Sequence, residues 1–274
     1  MRFFCVTRDS LADTNQALAQ ACAARGIEAV MMSPDSHAAQ PQLRPRPGDL
    51  LYRAATDAPC DRLEKLLWQP GVAAFYEEPF FECIYQGVLF QSHGLPMPRT
   101  IHALSADRAL LQSQVEQLGG FPLVLKQPGG EGGRGVMRVD SQAALFSLID
   151  YLGPAPLLME YFEHVVAYRL VVVGDQVVAT EARHSGPGDF RTNAAGGACL
   201  GAVAPSAQAT AIALQAARLM RVEFGGVDLL ENSAGRLLLA ELNFPCYFAD
   251  QQRDSGIDIA GAMIAHLAAK ARRA

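Results

Sequence analysis

The sequence predicts an α/β protein, and three features carry that prediction. Short apolar strands alternate with helical segments through about residue 93, an order that is typical of a small parallel α/β unit. A segment rich in glycine and proline, residues 94–100, then separates this unit from the rest of the chain. Two apolar hairpins follow, at residues 168–181 and 226–243, and they predict antiparallel sheet in the second half of the protein.

The composition limits the classes of function. The chain has 274 residues, of which 50% are hydrophobic and 19% charged, and its formal net charge is −5. No polybasic run is present, so a nucleic-acid partner is not expected. The six cysteines are scattered without metal-site spacing, and no signal peptide or membrane-length apolar run occurs. We therefore expect a cytoplasmic protein with reduced thiols and no membrane partner.

The first 93 residues predict a regular alternation of elements. Ser10 and Asp13 resemble a capping box at the start of the first helix, which Gly26 follows. No glycine-rich phosphate loop follows the first strand, which argues against an ordinary dinucleotide-binding domain. The predicted strands are residues 2–7, 27–32, 49–53 and 72–75, the helices are residues 10–24, 61–68 and 79–93, and residues 34–48 form a loop.

The remaining residues predict a second and a third unit. In the second, Ser105 and Ser141 are the expected helix caps. The long segment 184–204 lacks periodicity and carries five glycines, which indicates a functional loop. The predicted helices are residues 105–118, 141–151, 206–220 and 257–270, and the strands outside the two hairpins are residues 122–126, 136–139 and 156–159.

The last hairpin carries acids in an apolar setting. If Asn232 pairs with Leu237, then Asp228 faces Glu241, and Asn243 shares a face with Glu241. Unpaired buried carboxylates are costly and need a counter-charge. Their oxygen atoms and the asparagine carbonyl oxygen suit Mg²⁺. The alternative is an exposed hairpin edge with solvated acids, or acids that pair with nearby arginines.

A glycine-rich segment at residues 127–135 lies between two predicted strands. It matches G-x-G-x-x-G formally, but a strand follows it where the dinucleotide fingerprint requires a helix. A strand–glycine loop–strand order resembles a flap over nucleotide phosphates, as in protein kinases, whose other motifs are absent. Lys126 ends the strand before the loop, where it can reach phosphate oxygens. The alternative is an exposed lysine beside a flexible hairpin.

Several segments occur in one order along the chain. They are Lys126 with the loop 129–135, Leu-Met-Glu-Tyr at 158–161, Arg-Leu-Val-Val-Val-Gly-Asp at 169–175, Gly-Asp-Phe-Arg-Thr-Asn at 188–193, Gly-Val-Asp at 226–228, Glu-Leu-Asn at 241–243 and Gly-Ile-Asp-Ile-Ala at 256–260. Together they resemble the RimK-like branch of the ATP-grasp carboxylate–amine ligases, over about residues 94–266.

The resemblance implies an architecture and an activity. An N-terminal parallel α/β domain, residues 1–93, would precede two α+β subdomains, 94–163 with the flap and 164–274 with the metal-binding hairpin, which clasp ATP between them. The enzyme would join a carboxylate to an amine through an acyl phosphate, adding for example glutamate to a peptide, protein or small metabolite. Its cofactors would be ATP and one or two Mg²⁺ ions, or Mn²⁺. The resemblance also implies a homo-oligomer, either a dimer or a tetramer.

The resemblance also assigns residues. The metal ligands would be Asp228, Glu241 and Asn243. Nucleotide would be bound by Lys126 and the flap glycines Gly130, Gly132, Gly133 and Gly135 at the phosphates, by Glu160, Tyr161 and Phe162 at the adenine, and by Glu163 at the ribose. The catalytic groups, which orient the carboxylate and stabilise the tetrahedral adduct, would be Arg169, Arg191 and Asn193.

Two departures from the family pattern leave alternatives open. The second phosphate-binding lysine is expected near Cys83, but the predicted helix 79–93 contains no lysine. An acid for the ribose is expected where Ala167 stands, and Glu163 is the substitute. One alternative is therefore a nucleotide-binding homologue that has lost ligation. Another is an unrelated kinase-like phosphotransferase. The sequence does not name the carboxylate or the amine.

Overall fold

The computed structural model describes residues 1–79, 81, 85–127, 133–186, 189–191 and 198–273. Within these ranges the strands form three separate sheets, which come from three successive stretches of the chain. The first sheet is parallel, and the other two are antiparallel.

The N-terminal sheet has the order β2-β1-β3. Its apolar strands are buried on both faces by helices, as parallel strands require. The strands are β1 (Arg2–Val6), β2 (Glu28–Met32) and β3 (Leu50–Arg53), and the helices are α1 (Asp13–Ala23), α2 (Pro34–Ala39) and α3 (Ala58–Leu67). The next helix along the chain, α4 (Gln86–Ser92), packs on the five-stranded sheet described below, where its Phe90 is buried.

The second sheet is four-stranded and has the order β4-β7-β5-β6. Leucines from its strands and from its two helices form one buried cluster. The strands are β4 (Thr100–Ile101), β5 (Leu123–Lys126), β6 (Val136–Val139) and β7 (Leu157–Glu160), and the helices are α5 (Arg108–Gln117) and α6 (Gln142–Leu152).

The third sheet is five-stranded, has the order β10-β9-β8-β11-β12 and ends at the edge strand β12. The strands are β8 (Val166–Val173), β9 (Gln176–His184), β10 (Ala198–Ala202), β11 (Phe224–Glu231) and β12 (Leu237–Asn243), and the helices are α7 (Ala207–Leu219), α8 (Ala249–Ser255) and α9 (Ile259–Ala271).

The first and last parts of the chain share a core. Phe3 and Tyr52 of the N-terminal sheet belong to the same buried cluster as Phe224 and Met263, and α9 packs against α1. Lys270 adds a polar link, since its Nζ donates to the carbonyl oxygen of Ala74 at 2.9 Å. This shared core holds the N-terminal sheet against the sheet that carries the acids. The division into residues 1–93, 94–163 and 164–274 stays a prediction.

Several helix starts differ from the predictions. Ser10 does not cap α1, because Ala12 holds the cap position without a side-chain bond. Asp107 rather than Ser105 caps α5. The segment predicted as a loop at 34–48 contains α2, whose capping box begins at Ser33. A Ser or Asp side chain caps α2 and α5, whereas no side chain caps α1. The spacing of Ser and Asp along the sequence does not by itself identify the cap residue.

Other boundaries differ as well. Helix α4 begins at Gln86 and not at Pro79. The predicted strand 72–75 forms one bridge, between Leu50 and Ala73. The predicted loop 184–204 contains β10, and α8 was not predicted. Strand β6 and the Ser141 cap of α6 are confirmed. In the described part of the chain, no helix has both the length and the apolar character needed to cross a bilayer.

Candidate active site

The hairpin of β11 and β12 brings the predicted acids together. Asp228 pairs directly with Glu241, as predicted. A bulge lies directly after Asp228, so that Glu231 pairs with Leu237. The predicted partner of Leu237, Asn232, is therefore wrong by one residue. The bulge absorbs the extra residue and keeps both carboxylates on one face of the sheet.

Asn243 completes this group. Its Nδ2 lies 3.3 Å from Oδ2 of Asp228 and 3.3 Å from Oε1 of Glu241. Asn243 therefore bridges the two carboxylates, and the three oxygen-bearing side chains converge at one point.

Two cations of the chain compensate the acids. Nζ of Lys126 lies 2.9 Å from Oε2 of Glu241, which joins the four-stranded sheet to the five-stranded sheet. Arg169 donates to both oxygens of Asp228, from Nε and Nη2, at 2.6 Å each. The side chains of this second pair are only 15% and 16% exposed. Pairing of an acid with an arginine, left open by the sequence, thus occurs at Asp228.

These pairs change the ionisation of their members. The charge of Asp228 raises the pKa of Arg169, which therefore stays cationic. Burial alone would raise the pKa of Glu241, but the charge and hydrogen bond of Lys126, with the Asn243 amide, outweigh it and hold that pKa below its ordinary value. The Glu241 carboxylate is therefore available as an anion at neutral pH.

The donor set fits a divalent cation. Within the described ranges no group of three or more His, Cys, Asp or Glu side chains is placed to hold a metal. Two carboxylates and a carboxamide nevertheless suit Mg²⁺, which takes few protein ligands and completes its shell with water and phosphate. Asn243 would present its oxygen, and which end of an amide faces a neighbour is an assignment from the hydrogen-bond network.

A cavity of about 470 Å³ lies over this group. Its size is in the range of small-molecule sites. Ten of the predicted site residues line it, namely Lys126, Gly133, Glu160, Tyr161, Phe162, Arg169, Arg191, Asp228, Glu241 and Asn243. Gly135 and Glu163 do not line it, and Gly130, Gly132 and Asn193 lie outside the described residues.

The end of the glycine loop requires glycine at two positions. Gly133 and Gly135 have φ of 76° and 78°, a region that other residues rarely adopt. A Cβ at Gly135 would also lie 3.1 Å from Cβ of Gln127, whose backbone N–H donates to the Gly135 carbonyl at 2.8 Å. Gly133 lines the cavity, so its own backbone lies at the space where phosphates are expected.

Arg191 connects this loop to the opposite wall. Its Nη1 donates to the carbonyl oxygen of Gly133 at 3.0 Å, and its Nη2 lies 2.7 Å from Oδ2 of Asp189. Hydrogen bonds from Arg191 lower the pKa of Asp189 to about 2. Between them Phe190 packs edge-on against Tyr161, with ring centroids 5.9 Å apart.

The segment after β7 forms the other end of the cavity. The carboxylate of Glu160 is held by Arg99, whose Nε donates to it at 2.6 Å, and the Glu160 N–H donates to the carbonyl oxygen of Arg99 at 2.9 Å. Glu163 lies in a neighbouring polar cavity of about 430 Å³. Ala167 lines the main cavity, which therefore lacks an acid at the position expected for the ribose.

The cavity also contains residues that were secondary candidates or gave no signal in the sequence. Arg183, a secondary candidate at the end of a strand, lines the cavity and pairs with the buried Glu181 at 2.5 Å. Tyr168 donates to Glu231 at 2.6 Å, and this bond raises the pKa of Tyr168 to about 12. Cys246 also lines the cavity, and burial raises the pKa of its thiol to about 12.

Comparison with known proteins gives a family match that covers most of this region. A sequence model of the RimK-like ATP-grasp domain matches residues 85–267. The ribosomal protein bS6–L-glutamate ligase of Escherichia coli O1:K1 is 35% identical over 181 residues. That alignment covers 64% of this chain and 59% of the relative, so the chain spans less than two thirds of the curated relatives it matches.

Solved structures show the same fold over nearly the whole chain. The ATP-grasp ligase PsnB, in complex with a minimal precursor, Mg and ADP, has a TM-score of 0.74 at 19% identity, covering 98% of this chain and 96% of that one. The D-alanine–D-alanine ligase of Bacillus anthracis has a TM-score of 0.69 at 13% identity, covering 100% and 98%. At these identities the likeness shows the fold alone, and it confirms the predicted ATP-grasp fold class.

Proposed function

This chain belongs to the RimK-like ATP-grasp family, and from that premise we propose that it is an ATP-dependent carboxylate–amine ligase that releases ADP and phosphate. The membership confirms the family predicted from the sequence, and the named ligases support the predicted enzyme class. The observation that carries the proposal is the single cavity in which Lys126, Arg169 and Arg191 face the oxygen group of Asp228, Glu241 and Asn243.

In this proposal the cavity divides into a nucleotide end and a reaction end. The backbone at Glu160, Tyr161 and Phe162 receives adenine. Lys126 and the N–H groups of the glycine loop hold phosphate oxygens. When bound, Mg²⁺ or Mn²⁺ on Asp228, Glu241 and Asn243 would neutralise phosphate charge and hold the chain of phosphates in line.

The reaction end carries the arginines. A substrate carboxylate attacks the γ-phosphorus, ADP leaves, and an amine then attacks the acyl carbon and displaces phosphate while losing its proton to solvent. Arg191 is placed between the glycine loop and this end, where its planar fork can hold a carboxylate or phosphoryl oxygen. Arg169 orients Asp228 through its two hydrogen bonds. Both residues bind and position, and the covalent intermediate forms on the substrate.

The proposed substrates are an amino acid, such as glutamate, and a peptide, protein or small metabolite. The relatives support this class, since one is named for glutamate ligation to ribosomal protein bS6 and PsnB was solved with a precursor peptide. A homo-oligomer, dimer or tetramer, and a cytoplasmic location remain predictions of the sequence.

A nucleotide-binding protein without ligation is the second candidate, because residues 79–93 contain no lysine, although the family pattern places one there. Purified protein with ATP, Mg²⁺ and pooled amino acids and peptides separates the two. ADP and phosphate release that depends on an amine supports the ligase. If the protein binds nucleotide but no pool of amino acids and peptides produces amine-dependent release of ADP and phosphate, the ligase proposal is contradicted. A phosphorylated product without free phosphate would favour the phosphotransferase.

A further inference from the structure

The edge of β12 is closed by a side chain. β12 is the last strand of the five-stranded sheet, and the outward backbone groups of Leu242 need a partner that no further strand provides. Gln86, the first residue of α4, supplies it. Its Oε1 accepts from the N–H of Leu242 at 2.7 Å, and its Nε2 donates to the Leu242 carbonyl at 3.2 Å.

This amide acts on the residue between two metal-site side chains. Leu242 separates Glu241 from Asn243, and strand alternation sends both of these to the face opposite Leu242. The Leu242 side chain is 2% exposed, which fixes it on the core side. The two hydrogen bonds from Gln86 hold both peptide units that flank Leu242 from the edge, the one shared with Glu241 and the one shared with Asn243. The directions of the Glu241 and Asn243 side chains follow from these two units.

A second contact pairs the same edge of β12 three residues earlier in the strand. The N–H of Leu239 donates to the carbonyl oxygen of Pro96 at 2.7 Å. This contact lies before Glu241, whereas Gln86 lies at the ligand pair itself. Loss of Gln86 would leave the strand paired with β11 and anchored at Leu239, but free to shift at Glu241 and Asn243.

We infer that Gln86 is a positioning residue for the divalent-cation site of Glu241 and Asn243. The inference rests on the proposed function, because it takes these residues as cation ligands. Groups that orient metal ligands through hydrogen bonds change metal affinity by about 10- to 100-fold when removed. The loss should be seen in cation binding and not in the fold or in cation-free nucleotide binding.

The test uses Gln86→Met, which keeps length and removes both hydrogen bonds. The matched control is Gln91→Met on the same helix, where Oε1 of the amide lies 3.0 Å from Nε2 of His102. Binding of Mn²⁺ to the whole protein with ADP is measured from the free-Mn²⁺ signal in electron paramagnetic resonance. We expect Gln86→Met to bind Mn²⁺ roughly tenfold more weakly than the wild type. ADP affinity without the cation, and both affinities of Gln91→Met, should stay within about twofold.

The outcomes separate the inference from the proposed function. Wild-type protein that binds no Mn²⁺ with ADP overturns both. Saturable Mn²⁺ binding that is equal in the wild type and Gln86→Met overturns only the role of Gln86. If circular dichroism shows that Gln86→Met is unfolded, the same measurement is made on Gln86→Glu. This variant keeps an acceptor for the Leu242 N–H but places a negative carboxylate oxygen against the Leu242 carbonyl oxygen. Unaltered Mn²⁺ affinity in that variant overturns the inference, and weakened affinity in a folded protein supports it.

Discussion

Removal of the Arg169 guanidinium should destabilise the protein in a way that a divalent cation reverses. Arg169 makes two hydrogen bonds of 2.6 Å to Asp228, and the two side chains are 15% and 16% exposed. Arg169→Met leaves Asp228 largely buried without its main counter-charge. Loss of one partner of a buried pair costs about 3–5 kcal/mol, and the residual exposure here reduces this to about 2–4 kcal/mol.

The assay is urea and thermal unfolding with and without Mg²⁺ and ADP. The expected loss corresponds to a Tm decrease of roughly 5–10 °C for a chain of this size. Mg²⁺ with ADP should restore more stability to Arg169→Met than it adds to the wild type, because the cation replaces the missing charge. The matched control is Arg108→Met, whose pair with Asp150 is exposed by 51% and 64% and should change stability by less than about 1 kcal/mol.

The reasoning fails if Arg169→Met lies within about 1 kcal/mol of the wild type without the cation. It also fails if Mg²⁺ with ADP stabilises both proteins equally. The first result would mean that the two hydrogen bonds from Arg169 do not offset the cost of burying the Asp228 carboxylate. The second would mean that the divalent cation does not replace the charge of the lost guanidinium.

Three further predictions follow from single groups. Lys126→Met should weaken ADP binding at least about tenfold by calorimetry, whereas Lys65→Met, on α3, should not, and equal affinities would contradict a phosphate-binding role. Burial would raise the pKa of Glu223, but hydrogen bonds from His266 and Lys270 outweigh it and lower that pKa. The wild type should therefore be more stable than Glu223→Gln by about 1–2 kcal/mol, fully so above pH 4.5, and this difference should shrink as the pH falls through the lowered pKa. A stability difference that does not vary with pH would contradict the prediction. The thiol of Cys246, whose pKa burial raises to about 12, should resist iodoacetamide at pH 8 in native protein and react in urea, as mass spectrometry can show; rapid native labelling would contradict its burial.

The sequence predicted the site more fully than the local details of the fold. Asp228 and Glu241 carry their own signal, since acids inside apolar strands demand a partner, and strand alternation adds Asn243. The facing of Asp228 and Glu241 was predicted for a regular hairpin, and it survives because a bulge absorbs the one-residue error at Leu237. A bulge depends on twist and packing of the whole sheet, which the hairpin sequence does not encode by itself.

Other features depend on contacts between distant parts of the chain. The pair of Lys126 with Glu241 joins two sheets, and that of Arg169 with Asp228 joins two neighbouring strands, so neither follows from local spacing. Gln86 lies 156 positions from Leu242 and gave no signal in the sequence. The predicted cap of α5 was wrong for a different reason. Ser105 and Asp107 are both suitable cap residues in the sequence, and the position of the first turn of α5 in the folded protein selects Asp107.

ADP release as a function of Mg²⁺ concentration, in Asp228→Asn and Glu241→Gln, tests the central claim most directly. These changes keep the shape of each side chain and remove one negative charge each from the oxygen group that faces Lys126 and Arg169. We expect both variants to lose Mg²⁺-dependent ATP turnover, while Asp150→Asn, an exposed acid on α6, keeps wild-type turnover. Turnover and Mg²⁺ dependence that remain unchanged in both variants would contradict the assignment of a cation to β11 and β12.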